Sequence, residues 1–220
     1  MEVIQGIQGL KVPSSEAGID KVMWRHYPDD FRPEYSAAST WDQLRTHAAT
    51  KEWSKVIWFP QTVPQFAFIS WLAIKDRLTT GSRMRAWGDN QSCLFCREPD
   101  ETRDHLFFAC PYSFMVWIEV VGDMLRTEPD PDWDDTLQRL ITHPYPRYDY
   151  ILLRLCFKAT IYYLWGERNE RRHNNLYRTH SQLARTIERV IRSIIVSLRY
   201  YENKKLRGLI QRWFSSRQNH

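Results

Sequence analysis

Residues 93–110 read CLFCREPDETRDHLFFAC, and the reading of this run decides the fold. Cys93, Cys96, His105 and Cys110 stand in it as C-x2-C-x8-H-x4-C. Thiolate sulfur and neutral imidazole nitrogen are the ligands a tetrahedral structural Zn2+ prefers, and a Cys3His set fills all four positions. The two-residue gap lets one tight turn aim two thiolates at a point. The longer gaps bring the other ligands in from a loop and a short helical or extended segment. Four protein ligands leave no position for water or substrate, so one structural zinc ion is expected and no chemistry at the metal. The competing reading is a chance cluster of buried thiols with a stray histidine. It is weakened because three of the four cysteines fall within this run.

The flanks of the run are apolar at helical spacing. On the N-terminal side, QFAFISWLAIKDRL from Gln65 puts Phe66, Ile69, Leu72 and Ala73 on one face, and Phe68, Trp71 and Ile74 thicken it. An aromatic run of this kind can stack bases, but its spacing favours core. Thr79 or Thr80 can cap a second helix, GSRMRAWG, which Gly88 would end. On the C-terminal side, Phe114, Trp117, Val121 and Leu125 recur at helical spacing after Pro111, so a metal would fix the start of that helix. Further upstream, Val22 and Trp24 alternate as a strand, Pro28-Asp29-Asp30 supplies a turn, and Phe31 and Tyr35 form the return strand. Ser39 or Thr40 then caps a helix through Trp41, Leu44 and Ala48. Tyr27-Pro28-Asp29-Asp30 is similar to the Tyr-x-Asp-Asp box of reverse transcriptases. Two-metal chemistry needs a further carboxylate on a separate strand, and the short stretch before the box leaves no room for a palm. A hairpin turn is the expectation.

Downstream, residues 126–150 hold Pro129, Pro131, Pro144 and Pro146 among acidic residues and read as a linker around one short helix. From Ile151 a long apolar helix carries Leu152, Leu155, Cys156, Ala159, Tyr163 and Trp165, with Cys156 as a small buried hydrophobe. In the last helix, about 181–201, Leu183, Ile187, Val190, Ile194, Leu198 and Tyr201 make an apolar stripe. Arg185, Arg189, Arg192 and Arg199 stack on the opposite face, a stripe that can track phosphates or serve as a solvated surface. Arg97 and Arg103 in the metal run are further candidate contacts.

The charge is divided along the chain. Residues 1–150 carry 16 Lys and Arg against 22 Asp and Glu, and residues 151–220 carry 15 against 4, so −6 and +11 make up the net +5 of the 220 residues. A basic excess at one end is the footprint expected of a phosphate-backbone partner. Four cysteines, three claimed by metal, build no disulfide framework and point to a reducing intracellular compartment, nuclear or cytoplasmic. No secretory leader and no run of about 18 apolar residues is visible, so no membrane partner is expected. Gly-rich phosphate loops, HExxH and GxSxG are absent, so no enzyme activity and no small-molecule substrate is expected.

These residues carry a family resemblance. DKVMW, EYSAASTWDQL, VPQFAFISWLAIKDRLTTGSRMRAWG, CLFC and DETRDHLFFACPYSFMVW fall in an order that resembles the zinc-binding domain C-terminal to the reverse transcriptase of plant non-LTR (LINE-type) retrotransposons. The later IYYLWGERNERRHNN, residues 161–175, is similar to that family's downstream Trp-x-Glu-Arg-Asn segment. The resemblance implies zinc ligation by Cys93, Cys96, His105 and Cys110, a mostly helical module that contacts nucleic acid, and ancestry in a mobile element. The expected fold is mainly α, a zinc-stabilised module with an N-terminal β-hairpin and a C-terminal helical extension. The expected divisions are a lead-in at 1–19, the zinc-binding domain at 20–125, a linker at 126–150 and a basic extension at 151–220. Two functions follow: a noncatalytic module binding RNA or single-stranded nucleic acid, or a protein-interaction or structural remnant with zinc as scaffold.

Overall fold

A computed structural model describes residues 18, 21–46, 49–125, 127–142, 144–197 and 204–217. Residues 1–17 and 19 of the expected lead-in, Ala48, Leu198, Arg199 and Tyr201 lie outside them. The chain forms two compact units, Met1–Ala49 and Thr50–His220.

The first unit is a hairpin and a helix. Strand β1, Trp24–Tyr27, pairs antiparallel with β2, Asp30–Arg32, through a turn in which Asp29 is left-handed (φ 66°). The Tyr27–Asp30 box is thus a turn, as its Pro-Asp-Asp content predicts. Helix α1, Ala37–Leu44, is capped by Ser36, whose Oγ accepts from Ser39 N at 3.2 Å. The cap therefore falls three residues before the expected Ser39. Gln43 ties α1 to the hairpin by donating to the Arg25 and His26 carbonyls.

The second unit is helical. It runs through α2 (Ser54–Ile57), α3 (Pro64–Ile74) and α4 (Gly81–Arg85) to the metal run. There follow α5 (Pro111–Val121), α6 (Trp133–Thr142), α7 (Arg147–Asn174), α8 (His180–Ser197) and α9 (Leu209–Ser215). Helix α7 is the axis. Every residue from Ile151 to Ile161 is buried, the mark of a helix surrounded on all sides, and α2, α3, α5, α6, α8 and α9 all pack on it. Two of its buried basic side chains tie it to α2. Arg154 donates to the Lys55 carbonyl at 2.9 Å and Lys158 to the Ile57 carbonyl at 3.1 Å, satisfying open C-terminal carbonyls of α2. Both lie on the Phe59 ring, 3.9 and 3.8 Å from its centroid.

Helix α3 starts at Pro64, whose missing N–H costs nothing at a first turn. It buries Phe66, Ala67, Ser70 and Ala73, while Phe68 stays exposed, so the aromatic girdle is narrower than the sequence suggests. In α8 the buried row is Leu183, Ile187, Ile191 and Ile195, with Ala184; Val190 and Ile194 only flank it. The helix presents its i, i+4 ridge to α5 and α7, which turns the stripe by one residue from the expected register.

The expected break near residue 150 is a change in charge and not in packing. Trp133, in the supposed linker, is buried between Phe107, Phe108 and Phe157, and α7 and α8 share one core with the metal run. The chain divides at Ala49, where a small unit with no buried helix residue gives way to that core. Cys156 is fully buried, donates to the Val120 carbonyl at 3.7 Å, and desolvation pushes its thiol up to about 12.

Candidate metal centre

The first two ligands sit on a tight knuckle. Cys93 N donates to the Glu98 carbonyl and Arg97 N to the Cys93 carbonyl, each at 2.8 Å, and Arg97 takes a left-handed φ of 68°. Phe95 N points at Cys93 Sγ, 3.4 Å away. The second pair comes from one widened turn. His105–Ala109 is π-helical and closes with Cys110 N donating to the His105 carbonyl at 2.7 Å, which brings both ligands to one side of the turn. The same turn sends Leu106, Phe107 and Phe108 into the core, where Phe108 stacks on Phe157 with centroids 5.8 Å apart. His105 N is held by Thr102 Oγ1 at 3.1 Å.

The four ligand atoms all lie within 4.8 Å of one another and could hold a metal ion. Two thiolates on a tetrahedral zinc with bonds of about 2.3 Å stand about 3.8 Å apart. The Cys93 and Cys110 sulfurs are 3.9 Å apart, and Cys96 Sγ stands 3.1 Å from His105 Nε2. The donor set therefore fits a closed Cys3His centre.

Cys110 is readied as a thiolate. The Cys93 thiol donates to it, burial opposes, and the Ser113 and Tyr112 backbone N–H groups at the start of α5 add to the first effect, holding Cys110 well below the usual thiol range. Its partner Cys93 is raised, first by that same hydrogen bond and then by burial.

Around the ligands runs a shell of buried charge from α7. Glu101 Oε1 accepts from Arg168 Nη2 at 2.8 Å, Arg168 Nε at 3.1 Å and Gly81 N at 2.9 Å. Both members of this ion pair are buried. Arg171 donates to the Leu94 carbonyl at 3.1 Å, pairs with Glu167 at 2.9 Å, and lies over the stacked rings of Phe95 and Tyr112. Tyr112 donates to the Arg178 carbonyl at 3.0 Å, and burial pushes its phenol up to about 12. A Cβ on Gly81 would stand 2.2 Å from the Gln91 carbonyl oxygen, so only glycine lets α4 start against this loop.

Glu101, Glu167, Arg168 and Arg171 were not singled out from the sequence. The available signal was the Glu-Arg-Asn-Glu-Arg-Arg cluster closing an otherwise apolar helix. Of the basic candidates, Arg97 is exposed on the knuckle. Arg103 is engaged internally, paired with Asp104 at 2.5 Å and 4.7 Å over the Trp133 ring, so it offers no free guanidinium. Arg185, Arg189 and Arg192 are exposed on α8, and Arg199 lies outside the described residues.

Residues 35–117 match the model of a family described as zinc-binding in reverse transcriptase. All four ligands fall inside that match, so the domain recognised from CLFC, DETRDHLFFAC and their flanks stands over those residues. No curated protein and no solved structure matches the chain. Among the described residues no helix is long and apolar enough to cross a membrane.

Proposed function

We propose that this chain is a noncatalytic module, built on one structural Zn2+, that contacts nucleic acid through the basic face of α8. The observation that carries the reading is the division of labour among the arginines. Arg168, Arg171, Arg178, Arg212 and Arg217 are spent on internal ion pairs. Arg185, Arg189 and Arg192 line one exposed face and, among the described residues, make no ion pair. Unpaired guanidiniums one helical turn apart suit a phosphate backbone, whose bound counterions they displace. The four protein ligands leave the metal no open position, which supports a scaffold role. Descent from a plant LINE-type retrotransposon rests on the sequence resemblance, and the family match supports its reverse-transcriptase part.

Zinc-loaded protein titrated with labelled RNA and single-stranded DNA at two salt concentrations tests the reading. Micromolar or tighter binding that weakens steeply with salt is expected, and replacing Arg185, Arg189 and Arg192 by Gln should remove most of it. Absence of binding at low salt refutes the reading. The second reading, a protein-interaction or structural remnant, draws on the first unit, where Val22, Tyr27, Trp41 and Leu44 are all well exposed. It predicts partner association that survives the three Gln replacements.

A further inference from the structure

The face of α8 that carries Arg185, Arg189 and Arg192 lines a cleft. These residues, with Ile118 and Glu119 of α5, Glu188 of α8, and Trp213, Phe214 and Arg217 at the chain's end, enclose a cleft of about 570 Å³. The acidic residues in it are already engaged. Glu188 pairs with Arg217 at 3.2 Å, and Glu119 accepts from Ser181 at 2.9 Å and faces His180 Nδ1 at 2.6 Å. Arg217, which also lines the cleft, is held in place by the protein. It donates to the Glu119 carbonyl at 2.7 Å and to the Val120 carbonyl, closing the last turn of α5, and lies 4.0 Å over the Trp213 ring. Phe214 also lines the cleft, a half-exposed ring next in sequence to the buried Trp213.

We infer that this cleft is a binding site for single-stranded nucleic acid, in which the three arginines hold successive phosphates and Phe214 stacks a base. The inference rests on the nucleic-acid reading and narrows it to one site and one ligand class. A volume of 570 Å³ lies in the range of small-ligand sites, about 300–1,000 Å³, and suits a splayed nucleotide. A duplex keeps its bases stacked inside and offers nothing to Phe214. Steps of four and three residues space the three Cα atoms about 6 and 4.5 Å apart along the helix axis, so one sugar–phosphate strand can follow their side chains. Cationic groove and aromatic face together are what sequence-tolerant single-strand sites use. RNA and single-stranded DNA share this chemistry, and a free mononucleotide would engage only part of it.

The test compares the metal-loaded 220-residue chain with its Phe214→Ala, Phe214→Tyr and triple Arg→Gln variants. The probes are a labelled single-stranded RNA of about a dozen nucleotides, the same sequence as DNA, its duplex, and AMP. Phe214→Ala should weaken single-strand binding about tenfold without changing the salt slope. Phe214→Tyr should restore it, and the duplex should bind more weakly throughout and ignore Phe214. The triple Gln variant should flatten the slope for single strands by about two units. A melting temperature unchanged in Phe214→Ala shows that the loss is local. Equal binding of duplex and single strand, or single-strand binding indifferent to Phe214→Ala, overturns the cleft while leaving the nucleic-acid reading intact. AMP binding as tightly as the oligonucleotides overturns it in favour of a nucleotide pocket. No binding of any probe overturns both. The RNA and DNA affinities, compared directly, say which strand the cleft prefers.

Discussion

At Cys110 a candidate metal ligand and a helix N-terminus meet in one residue. Its backbone caps α5, and the first N–H groups of that helix turn toward its sulfur. A metal held by Cys110 would therefore fix the start of α5. Replacing Cys93 by Ser should abolish stoichiometric metal uptake and lower the melting temperature by about 10 °C or more, because structural metal affinity is folding energy. Calorimetry of the loaded chain, beside elemental analysis, reads both, and an unchanged melting temperature would refute the scaffold role. Arg168→Met should cost about 3–5 kcal/mol in denaturant unfolding, since it strands the Glu101 carboxylate in the core. The double replacement with Glu101→Gln should recover part of that loss. The ligands were legible because their spacing is local. The Glu101–Arg168 pair was not, because it joins residues 67 apart in sequence and no short-range pattern encodes which buried charges meet.

Helices announce themselves by period, and their registers depend on neighbours. The long apolar run of α7 and the arginine face of α8 could both be read, whereas the buried row of α8 lies one residue from the expected stripe because α5 and α7 select its i, i+4 ridge. Ile191→Ala should therefore cost about 2–5 kcal/mol and Val190→Ala clearly less, as equilibrium denaturation would show. Equal costs would restore the register read from sequence. Lys158 belongs to this scale too, since it joins α7 to α2. Burial, with Arg154 nearby, lowers its ammonium to about 6 from the ordinary 10.5. Between those values the unfolded chain binds the proton and the folded chain does not, so this lysine makes stability rise with pH, and the full penalty stands below about 6. Lys158→Met should be more stable than wild type at neutral pH, with an advantage that shrinks toward pH 10. The Ile57 carbonyl keeps Thr62 Oγ1 as a donor at 3.0 Å. Comparing the two chains at each pH cancels the metal's own pH dependence, and a constant difference would show that Lys158 stays charged when folded.

For the whole molecule, the basic excess after residue 150 marks no domain boundary. Among the described residues it includes arginines that clamp the core and others, Arg185, Arg189 and Arg192 among them, that face outward. Composition reveals the excess, but only three-dimensional packing tells the two uses apart. The metal run, the π-helical turn and α7 form one body, because the turn that carries His105 also sends Leu106, Phe107 and Phe108 into the core. The most direct test of this account is zinc-edge X-ray absorption on purified, dialysed chain of known metal content. The account predicts one zinc per chain with three sulfurs at about 2.3 Å and one nitrogen at about 2.0 Å. A chain that takes up no metal, or a shell dominated by oxygen, would contradict it.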